Sequence, residues 1–233
     1  MTTSRGVWAV VPLKGFSRAK QRLSAMLDAP ERAGLMLAMA RDVLSTLGAC
    51  RHIAGTVVVS RAEDACALAE ELGADVLHES SNVDLSGAVQ EGCAYVERNH
   101  GAASAFIVHG DVPLIECADI DALLNGHAGL TLVSAGDGEG TNCIVVTPPT
   151  GFAFHFGRSS FERHQRAARE LGITARLTAN LHIGLDIDTP DDLRALIGHK
   201  GAPHTRTFLD GSGIASRIGR PHNSPPTPAR NRS

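Results

Sequence analysis

Short β-branched, apolar runs alternate with stretches of helical periodicity along most of this chain, and that alternation constrains its fold most. Val7–Leu13, Ile53–Val59, Val76–Leu77, Ser104–His109, Leu130–Ser134, Cys143–Thr147 and Leu181–Leu185 read as strands. Pro30–Leu47, Glu63–Leu72, Leu85–Arg98, Ala118–Asn125, Ser160–Leu171 and Pro190–Ile197 read as helices. Strands that alternate with helices of this length build a mostly parallel sheet with helices on both faces, a single-domain, three-layer, Rossmann-like α/β fold. In such sheets ligands bind beyond the carboxyl ends of the strands, so the residues just after each strand are where chemistry is expected.

The charge is unevenly spread. The 233 residues carry a formal net charge of −3. Residues 199–233 hold Lys200, Arg206, Arg217, Arg220, Arg230 and Arg232 against Asp210, a net of +5, with five of the 11 prolines. Residues 1–198 therefore carry −8 and form the expected domain. The tail, rich in Pro, Gly and Ser, is expected to be a solvated, disordered extension. Near-neutrality argues against a general nucleic-acid binder. No apolar run approaches 18 residues and no apolar signal core opens the chain, so the cytoplasm is expected, with no membrane partner. The five cysteines, at 50, 66, 93, 117 and 143, show no CxxC and no Cys/His pairing. They read as reduced thiols rather than a zinc site.

Five segments could carry chemistry. After the first strand, Lys14, Gly15, Arg18, Lys20 and Arg22 precede the first acid of the chain, Asp28. A glycine there lets backbone N–H groups approach an anion, and the cations neutralise it. The alternative is a solvated basic loop; GxxxxGK[ST] is absent. In His109-Gly110-Asp111-Val112-Pro113, Asp111 directly follows a strand expected to be central, where a carboxylate can hold a hard cation or merely cap a turn. His109 reads as structural. In Asp186-Ile187-Asp188, strand alternation would put both carboxylates on one face, a repulsive pair unless a cation lies between them. Thr189 and Pro190 start a helix, and Asp191 and Asp192 suit its dipole. Gly140-Thr141-Asn142 enters a strand, and Gly157 and Ser160 open a helix, placements that suit phosphate and equally a hairpin turn and an N-cap. Arg158, Arg163 and His164 lie nearby and read more as surface than as part of a site.

Together, Val11-Pro12-Leu13-Lys14-Gly15, Ala19-Lys20-Gln21-Arg22-Leu23, Gly110-Asp111-Val112-Pro113-Leu114, Gly140-Thr141-Asn142, Phe156-Gly157-Arg158-Ser159-Ser160-Phe161 with His164, and Leu185-Asp186-Ile187-Asp188-Thr189-Pro190 resemble the 2-phospho-L-lactate guanylyltransferase family of deazaflavin coenzyme F-420 biosynthesis. The resemblance spans Val10 to about Ile197. It implies a nucleotidyltransferase fold, with GTP as cosubstrate and Mg²⁺ as cofactor. The acceptor would be a phosphorylated three-carbon acid: 2-phospho-L-lactate, phosphoenolpyruvate or 3-phospho-D-glycerate. Lys14, Gly15, Arg18, Lys20 and Arg22 would line the GTP phosphates. Thr141, Gly157 and Ser160 would hold the acceptor, and Asp111, Asp186 and Asp188 the metal. Asp111 and Lys20 are the expected catalytic pair. Expected partners beyond these substrates are a second copy of the chain and the next pathway enzyme, to which an unstable product would be handed.

The chain departs from the family pattern at Asp84-Leu85-Ser86-Gly87-Ala88, at Ser134-Ala135-Gly136-Asp137 and at Cys143. By the resemblance the last two lie beside the acceptor pocket and leave room for an atypical acceptor; among these 3-phospho-D-glycerate is ranked first, with no physical argument behind the order. A molybdopterin or sugar-phosphate nucleotidyltransferase is the close rival, disfavoured because Lys14-Gly15-Phe16-Ser17-Arg18 is not a Gly-Gly-x-Ser-x-Arg-Met-Gly loop. A non-catalytic nucleotide-binding protein is disfavoured by the three carboxylates. A NAD dehydrogenase is disfavoured because no G-x-G-x-x-G follows the first strand.

Overall fold

The computed structural model describes residues 6–81 and 83–218. The strands are β1 (Val7–Pro12), β2 (Ile53–Val59), β3 (Asp75–Leu77), β4 (Ser104–Val108), β5 (Leu130–Ser134), β6 (Thr141–Val146) and β7 (Ala175–Thr178). They form one seven-stranded sheet in the order β3-β2-β1-β4-β6-β5-β7. β6 runs antiparallel to both of its neighbours, and the other pairings are parallel. This mixed, mostly parallel sheet meets the α/β expectation.

The period-2 pattern of the strands decides the layers. Ala9, Val11, Val58, Phe106, Val108 and Val145 point to one face, beneath α1 (Ala29–Ala49), α2 (Glu63–Glu71), α4 (Cys117–Leu124) and α7 (Pro190–Gly198). Val10, Val57, Val59, Ala105, Ile107 and Ile144 point to the other, beneath α3 (Leu85–His100) and α5 (Ser160–Glu170). Local chemistry sets the helix starts. Asp28 accepts from the Glu31 N–H at 2.8 Å while Glu31 accepts from the Asp28 N–H at 3.0 Å, and Pro30 sits in the first turn. Thr189 and Asp192 form the same reciprocal cap on α7.

Three expectations are corrected. Leu181–Leu185 is not a strand: Leu181–Gly184 is one helical turn, α6, because the Asn180 side chain accepts from the His182 and Ile183 N–H groups at 2.9 and 2.8 Å. The strand lies upstream, as β7. Asp186 and Asp188 therefore stand on a loop, and strand alternation is not what brings them together.

The boundary at 198 is also corrected. Pro203–Gly211 (α8) and Ile214–Ile218 (α9) are helical and pack on the α1 layer through Leu209, Ile214 and Ile218. Ala202 cannot cap α8, so Asp42 of α1 does. Its carboxylate accepts from the His204 and Thr205 N–H groups at 2.9 and 2.8 Å and from the Thr205 hydroxyl at 2.6 Å. Residues 219–233 of the expected tail lie outside the described residues. Asp42→Ala should orphan these donors and cost about 2 kcal/mol, the scale of losing bonds to a charged acceptor. Urea denaturation and limited proteolysis within 203–218 check this; an unchanged midpoint and an unchanged cleavage pattern contradict it.

Third, Cys50 and Cys117, 67 residues apart, form a disulfide that joins the end of α1 to the start of α4. Sequence spacing could not show this, because the helix ends meet only once the sheet has formed. Cys66, Cys93 and Cys143 are free thiols, as expected.

Candidate active site

Because β6 is antiparallel to β4, its first residues lie at the same sheet edge as the end of β4. Val108 pairs with Cys143, so His109, Gly110 and Asp111 continue past Asn142 and Thr141. The loop after β1 and the Leu185–Asp188 loop reach this edge too. Ile187 N–H donates to the Asp111 carbonyl at 3.1 Å and fixes one loop to the other. Gly110 packs closely here: a Cβ would lie 2.3 Å from Leu13 Cδ2, so a larger residue would force the Leu13 side chain to shift.

Lys20 is the hub of the first half. Its Nζ donates to Asp111 Oδ2 and to Asp188 Oδ1, each at 2.6 Å, and its side chain is only 5% exposed. Its backbone is left-handed, φ 52°, uncommon for a residue with a Cβ, and this directs the side chain inward from the loop. Burial disfavours the Lys20 ammonium, but the Asp111 and Asp188 carboxylates outweigh burial and hold its pKa above the ordinary lysine value. Asp111 likewise stays below the usual carboxylate range: burial pushes it up, and Lys20, aided by His109, pulls it further down. Asp111 Oδ1 is buried and has no hydrogen-bond partner. Asp186 is separate from the lysine. It accepts from Asn142 Nδ2 at 2.9 Å. Burial holds its pKa above the carboxylate range; the Asn142 bond opposes this, and the charges of Asp111 and Asp188 reinforce it.

Lys14, Gly15, Arg18 and Lys20 share a cleft of about 330 Å³ with His109, Asp111 and Asp188. Arg22 lies outside that cleft, three-quarters exposed, with its guanidinium 3.7 Å from Asp188. Four of the five expected phosphate-site residues are thus together, facing the carboxylates. Among the described residues no three His, Cys, Asp or Glu side chains converge as a ready metal cage, because the Lys20 ammonium stands between two of the carboxylates.

The second half of the site starts at Thr141 and Ser160, both buried. Ser160 Oγ lies 3.2 Å from Thr141 Oγ1, and His164 Nδ1 lies 3.0 Å from the same oxygen. Gly157, at φ 109°, makes the turn into α5 in a conformation that only glycine adopts easily, and its carbonyl accepts the Ser160 N–H at 3.1 Å. His109 links the halves, its Nε2 donating to the Thr141 carbonyl at 3.1 Å.

Two residues of this region were underrated by the sequence reading. His164 is fully buried rather than surface, and Asn142 joins Asp186 to β6. The signal for His164 was its spacing from Ser160: i and i+4 share a helix face. Burial, with smaller contributions from His155, Arg163 and His109, holds the His164 pKa down at about 3. The unfolded chain, with an ordinary value near ~6.5, takes a proton that the native state refuses. Stability from this group is thus full above about pH 6.5 and falls on acidification toward pH 3, by at most ~1.4 kcal/mol per pH unit. Denaturation between pH 7 and 5 should show a steeper loss in the wild type than in His164→Gln; equal slopes contradict the assignment.

A cationic cleft, carboxylates at its floor and a hydroxyl pair beyond, at the edge of a mostly parallel sheet, define a nucleotidyltransferase. Solved structures share the fold. A nucleotidyl transferase from Methanothermobacter thermautotrophicus superposes with a TM-score of 0.59 at 16% identity, over 88% of this chain and 99% of that one. A Desulfovibrio desulfuricans G20 chain titled a nucleotide-diphospho-sugar transferase does so with a TM-score of 0.72 at 16% identity, over 91% and 96%. Residues 7–224 match the "Guanylyl transferase CofC like" family, and the chain belongs to it. Among its relatives, the 2-phospho-L-lactate guanylyltransferase of Methanothermobacter thermautotrophicus is 34% identical over 86% of this chain and 88% of its own. The phosphoenolpyruvate guanylyltransferase of Conexibacter woesei is 34% identical over 87% and 95%. The chain is therefore a nucleotidyltransferase enzyme of the guanylyl-transferring class. Among the described residues no helix is long and apolar enough to cross a membrane.

Proposed function

We propose that the enzyme transfers GMP from GTP to the phosphate of a three-carbon phospho-acid, releasing pyrophosphate, as a step of coenzyme F-420 biosynthesis. The observation that carries this reading is that His109, which lines the Lys14–Arg18–Lys20 cleft together with Asp111, also bonds to the Thr141 carbonyl, so the cationic cleft and the Thr141–Ser160 hydroxyl pair adjoin. The substrates named for the relatives, phospholactate and phosphoenolpyruvate, are small three-carbon acids that offer an anionic end to the Thr141–Ser160 hydroxyls.

The chemistry needs no general base. A phosphate monoester has a second pKa near ~6, so its oxygen is already nucleophilic at pH 7. The acceptor phosphate oxygen attacks the α-phosphorus of GTP in line. A phosphorus–oxygen bond forms there, the bond to the β-bridging oxygen breaks, and pyrophosphate leaves with that electron pair. Lys14, Arg18 and Lys20 hold the departing negative charge. Thr141, Gly157 and Ser160 hold the acceptor so that its phosphate faces the cleft.

The donor set also fits a divalent cation. Asp111 Oδ1 is buried and unpartnered, and Mg²⁺ commonly takes one or two carboxylates and completes its shell with phosphate oxygens and water. Asp111 and Asp188 would hold it, with Asp186 kept nearby by Asn142, and it would supply Lewis-acid neutralisation of the triphosphate. In that state Lys20 keeps its place among the carboxylates or turns to the phosphates. The product is a diphosphate diester prone to decay, which favours direct hand-over to the enzyme that consumes it.

A pyrophosphate-release assay with GTP, Mg²⁺ and 2-phospho-L-lactate, phosphoenolpyruvate or 3-phospho-D-glycerate tests the reading. Turnover with at least one acid and with GTP over ATP, CTP and UTP is expected. Turnover with none, or equal use of a sugar 1-phosphate, contradicts it.

A further inference from the structure

We propose that His164 is a positioning residue that sets the proton order of the acceptor subsite: its Nδ1–H donates into the Thr141–Ser160 hydroxyl pair, which leaves one hydroxyl proton to bind an unprotonated oxygen of the substrate. The inference rests on the reading of Thr141 and Ser160 as that subsite.

The His155 backbone N–H points at His164 Nε2 from 2.8 Å. A backbone amide can only donate, so Nε2 must be the acceptor nitrogen. The neutral ring then carries its proton on Nδ1, which faces Thr141 Oγ1 at 3.0 Å. His164 is wholly buried, with Phe156 edge-on at a centroid distance of 5.0 Å and Phe152 at 5.9 Å, so the ring cannot turn over to present the other nitrogen without repacking. The two hydroxyls hold two protons. One is used between Ser160 and Thr141, 3.2 Å apart. Because the imidazole gives a proton to the pair and takes none, the second is free to point out of it.

The opposite tautomer would reverse the subsite. An Nδ1 lone pair would take one hydroxyl proton, the Thr–Ser bond would take the other, and only lone pairs would face the substrate. Such a pocket repels a carboxylate or phosphate oxygen. The His155 amide thus selects, through the ring, a pocket for a fully ionised acid. The low pKa of His164, about 3, agrees with a ring that stays neutral across the working range.

Two conservative variants separate the roles of the two nitrogens. In His164→Asn the amide nitrogen stands where Nδ1 was and can still donate to Thr141. In His164→Gln the polar end lies near the Nε2 position, serving His155 but not Thr141. We expect His164→Gln to raise the acceptor KM at least ~10-fold, the scale of one bond to a charged group. The GTP KM should stay within about twofold, and His164→Asn should return the acceptor KM to within about threefold of wild type. Equal damage by Asn and Gln, or a parallel rise in the GTP KM, makes His164 a packing residue only and overturns the proposal. Long-range ¹⁵N NMR of the wild type at pH 7 reads the tautomer with no substitution: a protonated Nδ1 and bare Nε2 are expected, and the reverse order or an imidazolium overturns it. If the wild type turns over none of the phospho-acids, the acceptor reading fails. Calorimetric titration with orthophosphate then judges His164 alone: binding in wild type and His164→Asn but not in His164→Gln supports it, and any other order, or no binding at all, overturns it.

Discussion

Asp111→Asn is expected to lower turnover by at least ~10²-fold, the scale of losing one preorganised electrostatic element, and saturating Mg²⁺ should not restore it. The change keeps shape and removes charge. It takes from Lys20 one of its two counter-charges, the less exposed one, and turns the unpartnered, buried Oδ1 into a weaker ligand or an amide nitrogen. The buried ammonium is left with Asp188 alone, whose side chain is 41% exposed. KM for GTP should rise less than kcat falls, because the lost interaction is with charge that develops in the transition state. Steady-state pyrophosphate release checks this. Near-normal turnover at saturating Mg²⁺ contradicts the assignment of Asp111 to the catalytic floor.

Lys20→Met should be as damaging to turnover and also cost stability, because it leaves carboxylates unpaired in a poorly solvated site. Breaking one side of a buried ion pair commonly costs several kcal/mol; the partial exposure of Asp111 and Asp188 reduces that here to about 2 kcal/mol. A divalent cation can replace the missing positive charge. Mg²⁺ should therefore raise the melting temperature of Lys20→Met more than that of the wild type, while turnover stays at least ~10²-fold down. Equal Mg²⁺ shifts in the two proteins contradict the placing of Lys20 among the metal-binding carboxylates.

What could be read in the sequence was whatever local chemistry decides. The Asp28–Glu31 and Thr189–Asp192 caps are local, and so are the two-residue alternation of Ala9, Val10 and Val11 and the placement of Asp111 at the end of β4. The failures had two sources, one a local signal passed over and one tertiary. Leu-His-Ile-Gly-Leu at 181–185 is apolar enough for a strand, and Asn180 turned it into a helical turn by satisfying its first N–H groups. The +5 charge of residues 199–233 concealed Leu209, Ile214 and Ile218, whose burial depends on the surface of α1. Pro203 at the head of α8 was the available signal.

At the site, residue types were legible and their pairings were not. Lys20 was read as a phosphate ligand and Asp111 as a metal ligand, but their direct bond, across 91 residues of chain, comes only from the fold. Asp186 and Asp188 were grouped for a reason that does not hold, since no strand contains them. They are separated in role: Asp188 binds the lysine and Asp186 binds Asn142. His164 was ambiguous for the same reason. A histidine on a polar helix reads as solvated until the fold places Thr141 and the His155 amide against its two nitrogens.

In the proposed reaction the acceptor's phosphate becomes joined to the GMP moiety at the α-phosphorus. Phosphorus NMR of a complete reaction with GTP, Mg²⁺ and the accepted phospho-acid tests it most directly. A mutually coupled pair of diphosphate resonances is expected, with inorganic pyrophosphate in equal amount, as the acceptor monoester signal disappears. Orthophosphate with GDP, or pyrophosphate with free GMP and an unchanged acceptor signal, would contradict it.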